Sequence, residues 1–279
     1  MPTKTRGNSF PINGQARPWS GLAIAVCLAL GLVASPAHAA LSFEEGLARD
    51  PESNALLYRE QHLVRRVDGQ PRERLVLYRC ADGTAFARKR VDYRDSVQAP
   101  EFSLEDARLG YGEGLRRRGD AGTVWVREGA GRKERSAALD DARARLVADA
   151  GFDEFIRGQW AALSAGKSVP LRFAVPSRLE SLGFKLSRVG QATHAGEAAD
   201  VFRLRLGGVL GWVAPHIDVA YGRESRRLLR FEGLSNLRED DGRSQLAARI
   251  DFPRPARAAT EQQWQAFQDL ALSGCRVRG

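Results

Sequence analysis

Cysteine and histidine, the side chains that most often carry metal or nucleophilic chemistry, are scarce in this chain: three Cys and four His in 279 residues. None of them has the spacing of a zinc or redox site. No Gly-x-Ser-x-Gly or His-Glu-x-x-His string occurs, and the one Ser-x-x-Lys lacks its partner motifs. No apolar run reaches the roughly 20 residues needed to span a bilayer. Lysine is rare as well, five of the 43 basic residues, and the remainder are Arg. That skew, with abundant Ala and Gly, fits the coding bias of a GC-rich genome. The basic residues are scattered among acids, which argues against nucleic acid as a partner and leaves a weak attraction to anionic membranes open.

What is present begins with a leader. Lys4, Arg6 and Arg17 precede the apolar stretch 21–34, and Ala37-His38-Ala39 follows it, with no acidic residue before Ala39. A basic region, an apolar core and a small-x-small site in that order predict a Sec-type signal peptide spanning 1–39, cleaved after Ala39. The apolar core is too short for an anchor, and Cys27 lies inside it, away from a lipoprotein cleavage position. The expected mature chain, 40–279, carries a formal charge of +6 once three positive charges leave the full +9. It is read as a single β-rich domain in the periplasm or outside the cell. Two cysteines remain, Cys80 and Cys275. They are either a disulfide pair or two buried thiols, and an oxidising compartment favours the pair.

Most of the mature chain alternates with period two, the strand period. Strands are expected over 55–67 and 73–80, joined at Asp68-Gly69, then 85–93, and a hairpin over 123–139. In the second half, Phe202, Leu204 and Leu206 share a face, as do Ile217, Val219 and Tyr221, and Leu229 is placed with Phe231. The fold class is therefore mainly β: a curved antiparallel sheet or half-barrel of about 9–10 strands. An amphipathic helix is expected over 152–163, with Phe152, Phe155, Ile156, Trp160 and Leu163 on one stripe and Asp153 and Glu154 in its first turn. A C-terminal helix, 260–273, opens with the capping-box pair Thr260 and Gln263. A possible third helix opening at Ser103, with Asp106 at N3, is weakened by Gly110, Gly112 and Gly114, and that stretch reads mostly as loop.

Several residues could carry function. The acids around Asp149, Asp153 and Glu154 suit a helix start, and Glu239-Asp240-Asp241 suits a solvated turn. The segment 207–215, glycine-rich and apolar around Trp212, is either a tight buried connection or a flap over a cavity. No metal, cofactor or catalytic set emerges.

The leader, the strand meander and a helix fit to fill a concave sheet together resemble the antiparallel half-barrels of the proteobacterial envelope, the lipoprotein-carrier (LolA-like) type. Segments such as Leu77-Tyr-Arg-Cys-Ala-Asp-Gly83 and Arg230-Phe-Glu-Gly-Leu-Ser-Asn236 have that family's look. The resemblance implies a non-catalytic protein holding a lipid or another apolar ligand; it carries over no functional residue, and Phe155, Trp160 and Trp212 are this chain's own candidates for the apolar surface. Two alternatives stand beside it. One is a structural protein that docks an envelope partner, and the other is a periplasmic hydrolase using Asp149 or His216.

Overall fold

Alternating apolar and polar residues, punctuated by Asp-Gly and Gly-x-Gly turns, produce one sheet. The computed structural model describes residues 1, 2, 14, 39–119, 121–139, 145–208 and 215–278. The leader, apart from its few described positions, and Trp212 lie outside that set. The first half is a meander of eight strands: β1 (Ala39–Arg49), β2 (Leu56–Val67), β3 (Gln70–Cys80), β4 (Ala85–Asp92), β5 (Glu101–Asp106), β6 (Tyr111–Arg118), β7 (Ala121–Glu128) and β8 (Arg135–Leu139). The second half holds β9 (Leu146–Val147), β10 (Val169–Val175), β11 (Glu180–His194), β12 (Glu197–Leu206), β13 (Ile217–Gly222), β14 (Leu228–Arg238), β15 (Gln245–Asp251) and β16 (Arg257–Ala258). Three helices complete it: α1 (Gly151–Gly158), α2 (Trp160–Ser164) and α3 (Glu261–Asp269).

The two halves meet at the first strand. Strands β8 to β1 lie in reverse sequence order, and β1 then pairs with β15, from which β14 to β9 continue to the far edge. Every pairing is antiparallel except β9 on β10. β16 continues the β15 side of β1, after Pro253 and Pro255, which cannot donate to the ladder, interrupt it. The sheet curls until its ends approach: Leu115 and Val124 of β6 and β7 pack with Ala174 of β10 and with Leu179. Inside the curve lies the segment from β9 to α2. Phe155, Ile156 and Leu163 are wholly buried against Val169, Leu171, Leu186, Phe202 and Leu204.

The architecture is the expected mainly β, curved antiparallel sheet with a helix in its concavity and another at the C-terminus. It is larger than foreseen, with sixteen strands among the described residues. One reason is that the stretch from Ser103 through Gly114 is not a loop but lies in the β5–β6 hairpin. Gly112 and Gly114 lie in β6 because Trp125 of β7 covers them: a Cβ on Gly114 would stand 2.1 Å from the Phe102 carbonyl oxygen and 2.7 Å from Trp125 Nε1. Glycine there makes room for an indole, so it marks close approach and not a break. The mid-chain helix is divided at Gln159, whose N–H reaches both the Phe155 and Ile156 carbonyls. α3 has its capping box but ends at Asp269, where Leu270 turns extended and the Arg88 guanidinium takes the Phe267 and Leu270 carbonyls. Leu229 also departs from expectation. A register shift between Ala220 and Tyr221 turns it to a separate cluster with Ala199 and Ala220, while Phe231 packs inward.

α3 packs on the outer face. Trp264 is buried against Leu63 and Leu75, and Arg65 lies over its ring while pairing with Glu261 and Glu73. Cys80, closing β3, is bonded to Cys275. The tail beyond it is held by Asp240, whose carboxylate accepts the Val277 and Arg278 N–H groups, and by Glu239, which pairs with Arg278. The acidic turn 239–241 thus anchors the C-terminus as well as meeting solvent.

Candidate functional site

Two features stand out from this frame: a charged seam inside the curve and an apolar groove beside it. Register creates the seam. Residues directly opposite one another on successive strands share a face. One row across the first meander runs Glu44, His62, Val76, Lys89, Leu104, Glu113 and Val126. The next row in one direction holds Glu60, Tyr78, Ala87, Asp106 and Tyr111, and the next in the other holds Val64, Arg74, Val91 and Phe102. The concave face of this half therefore carries charges at intervals of two residues, and the inner segment meets them with charges of its own.

At one node Asp149, with φ +42°, accepts a 2.7 Å bond from Lys89 Nζ and a 3.2 Å bond from Asn236 Nδ2. Its other oxygen accepts the N–H of Ala150. At the second node Asp153 accepts from the Tyr221 hydroxyl at 2.6 Å and pairs with Arg74 at 3.2 Å and Arg157 at 3.1 Å. Burial alone would raise the Asp153 carboxyl, but Arg157, Arg74 and the Tyr221 hydroxyl outweigh it and hold the group below the usual carboxylate range. Asp153 is thus more than a helix-start acid, since it ties α1 to β3 and β13.

Beside the Asp149 node, Glu113 accepts a 2.6 Å bond from the Tyr111 hydroxyl. Burial pushes its pKa up to about 7, with Asp149 adding to the rise while the Tyr111 bond, Arg238 and Lys89 oppose it. His62 lies 2.9 Å from Glu60, and the Tyr58 hydroxyl donates to the same carboxylate at 3.4 Å. Arg74 Nε, Arg238 Nε and the Tyr93 hydroxyl are among the buried side-chain atoms that have no hydrogen-bond partner among the described residues. Burial pushes that hydroxyl up to about 12.

The groove lies where β10, β11 and the end of β12 run side by side. It is an open depression of about 540 Å³ lined by Pro170, Leu171, Phe184 and Leu206, with Lys185 and the glycines 183, 207 and 208. Leu171 and Phe184 also belong to the apolar cluster that contains Phe155, so the groove adjoins the buried helix stripe. Its glycines 207 and 208 open the apolar segment 207–215.

The sequence-derived candidates distribute unevenly around these features. Phe155 has no exposed surface and is core. Trp160 is half-buried, edge-on to Phe202 at 5.3 Å, with the Arg226 guanidinium 3.9 Å above its ring. Trp212 lies outside the described residues. Asp149 and His216 occupy different settings: the first is buried in the seam, and the second is exposed at the start of β13, 3.8 Å from Asp218. Lys89, Glu113 and Arg74 escape a sequence reading because alternation alone assigns charged strand residues to the wet face. The available signal was the surplus of acids on an inner helix, which need cationic partners once buried.

Among the described residues, no group of three or more His, Cys, Asp or Glu side chains could hold a metal ion, and no helix is long and apolar enough to cross a membrane. No protein-family model matches the chain, and no curated protein sequence matches it significantly. Among solved structures, it is similar to a β-barrel-like protein of a domain of unknown function, DUF1849, from Brucella abortus. The two share 8% identity, with a TM-score of 0.36, over 80% of this chain and 98% of the other.

Proposed function

We propose that the chain is an exported, non-catalytic envelope protein of the LolA-like half-barrel type that binds a lipid or other apolar ligand. The groove lined by Leu171, Phe184 and Leu206 carries the reading. It is a concave, mainly apolar surface of the size that small-molecule sites usually have, with a single charged group at hand. Binding is favoured over turnover because the carboxylates of the seam are committed to the protein itself. Asp149 holds Lys89 and Asn236, and Asp153 holds Arg74, Arg157 and Tyr221. These groups secure the inner segment against the sheet. Export fits the fold, since β1 begins at Ala39, the last residue of the expected leader. Cleavage there would remove one residue of the sheet.

The reading is tested on protein exported with its own leader. Native mass spectrometry should find a lipid-sized adduct on a chain beginning at Ala40. Saturable binding of N-phenylnaphthylamine should weaken at least fivefold in Leu206→Asp, a half-buried groove position at a strand end. A protein with neither adduct nor saturable binding does not have this function.

A further inference from the structure

Most cations inside the curve have a carboxylate partner: Arg74 pairs with Asp153, Arg157 with Asp153 and Glu154, Arg227 with Glu44, and Lys89 with Asp149. Arg66 has none. It alternates with His62 and Val64 on the inner side of β2, opposite Ala40 of β1 and Pro71 of β3, at the rim of the concave face. It is half-buried and makes no hydrogen bond or ion pair among the described residues. Burial pushes its pKa down, and Arg74 and Arg157 add to the fall while Glu154 and Asp153 oppose it. Two further donors lie beside it. Arg74 faces Val64 and Val91, so on β3 it is diagonal both to Arg66 and to Tyr93, whose N–H bonds the Arg72 carbonyl. Diagonal neighbours on one face stand about 7–8 Å apart, within reach of long and aromatic side chains. Arg74 Nε and the Tyr93 hydroxyl are buried without a hydrogen-bond partner among the described residues, and Tyr93 is only 2% exposed.

We infer that this rim is a binding site for an oxyanion, a carboxylate or phosphate group, held by the Arg66 guanidinium with Arg74 Nε and the Tyr93 hydroxyl as further donors. The local charges favour it: Arg66, Arg74, Arg157 and Arg227 meet Glu44, Asp153 and Glu154, so one cation is in surplus. The planar fork of a guanidinium offers parallel N–H groups to two oxygens, a match that a halide cannot use. Because Arg66 is open to solvent on one side, the attraction is salt-sensitive. The site belongs to β2, β3 and Tyr93, and the groove to β10, β11 and β12, so the inference does not depend on the apolar-ligand reading. A free oxyanion and the head of an amphiphile share this chemistry.

The test follows the arginine Nε–H signals of the folded protein by nitrogen-15 NMR. Inorganic phosphate, added at constant pH with chloride holding the ionic strength, should move the Arg66 and Arg74 signals saturably. Arg66→Gln should weaken phosphate about fivefold, and should keep the parent's urea midpoint in chloride because it has no partner to lose. Tyr93→Phe, which keeps the buried ring, should weaken phosphate about threefold and gives a second check. Dodecyl phosphate separates the two sources. Much tighter binding than inorganic phosphate, lost in Arg66→Gln, assigns the oxyanion to the head of an amphiphile, and similar affinities assign a free anion. Signals that stay still, or that follow chloride as well as phosphate, would overturn the site. So would phosphate binding that is unchanged in Arg66→Gln.

Discussion

A buried carboxylic acid with a raised pKa links one residue to the stability of the whole fold. Glu113 has almost no solvent exposure and faces Tyr111 on its own strand, Lys89 on β4, Asp149 on the inner segment and Arg238 on β14. Its folded pKa of about 7 lies above the ordinary value of 4.5. The folded state therefore binds more protons than the unfolded state between those limits, and stability falls as pH rises through that window. The contribution is fully present below pH about 4.5 and lost above about 7, and its full size is on the order of 3 kcal/mol. Glu113→Gln keeps an acceptor for the Tyr111 hydroxyl and removes the titration. Urea denaturation at pH 5 and pH 8 should show the variant gaining on the parent protein at the higher pH. If the difference between the two proteins is the same at both pH values, Glu113 is not the titrating group. The identity of this residue was not legible in the sequence. Tyr111-Gly-Glu113-Gly reads as a turn until Trp125 is known to lie over the glycines, and only then does Glu113 fall on an inward row.

At the scale of elements, the sequence told most where one periodicity ran uninterrupted. The β2–β3 hairpin forms at Asp68-Gly69, with both residues at positive φ, and Phe202, Leu204, Val219 and Tyr221 share the cluster that their alternation required. The β5–β6 hairpin was hidden because a glycine has no side chain to show which face it serves, and because its partner Trp125 is eleven residues away. This predicts an asymmetry among strand glycines. Gly114→Ala must push its Cβ against the Phe102 carbonyl, a backbone atom that cannot swing aside, and should cost about 2 kcal/mol. Gly190→Ala in β11 has nothing within 4 Å and should change stability by less than about 0.5 kcal/mol. Chemical denaturation of the two variants decides the matter, and equal effects would mean that Gly114 does not seat the indole. The same reasoning explains why the seam stayed hidden while the helix was found. A stripe of five apolar residues announces a buried helix, but the sheet residues that neutralise its acids come from strands read as amphipathic in the ordinary sense.

At the scale of the molecule, sequential neighbours pair along both meanders, and the long-range work falls to a few contacts: β1 on β15, the edge contact between β7 and β10, and the C-terminal return. The Cys80–Cys275 bond closes a loop of 195 residues, from the end of β3 to the tail. In the chain-entropy picture a loop of that length is worth about 5 kcal/mol, an upper figure because the unfolded chain is compact. The tail has other anchors, however. Trp264 is buried on β2 and β3, Arg88 holds the end of α3, and Asp240 and Glu239 hold Arg278. These contacts lie on both sides of Cys275, so breaking the bond should lower global stability without detaching the helix. The double variant Cys80→Ser, Cys275→Ser should lose about 2–5 kcal/mol. Hydrogen exchange should show α3 still protected and faster exchange spreading through 271–278. If α3 loses its protection together with the tail, then the covalent bond holds the helix to the sheet, and the Trp264 and Arg88 contacts are its consequence.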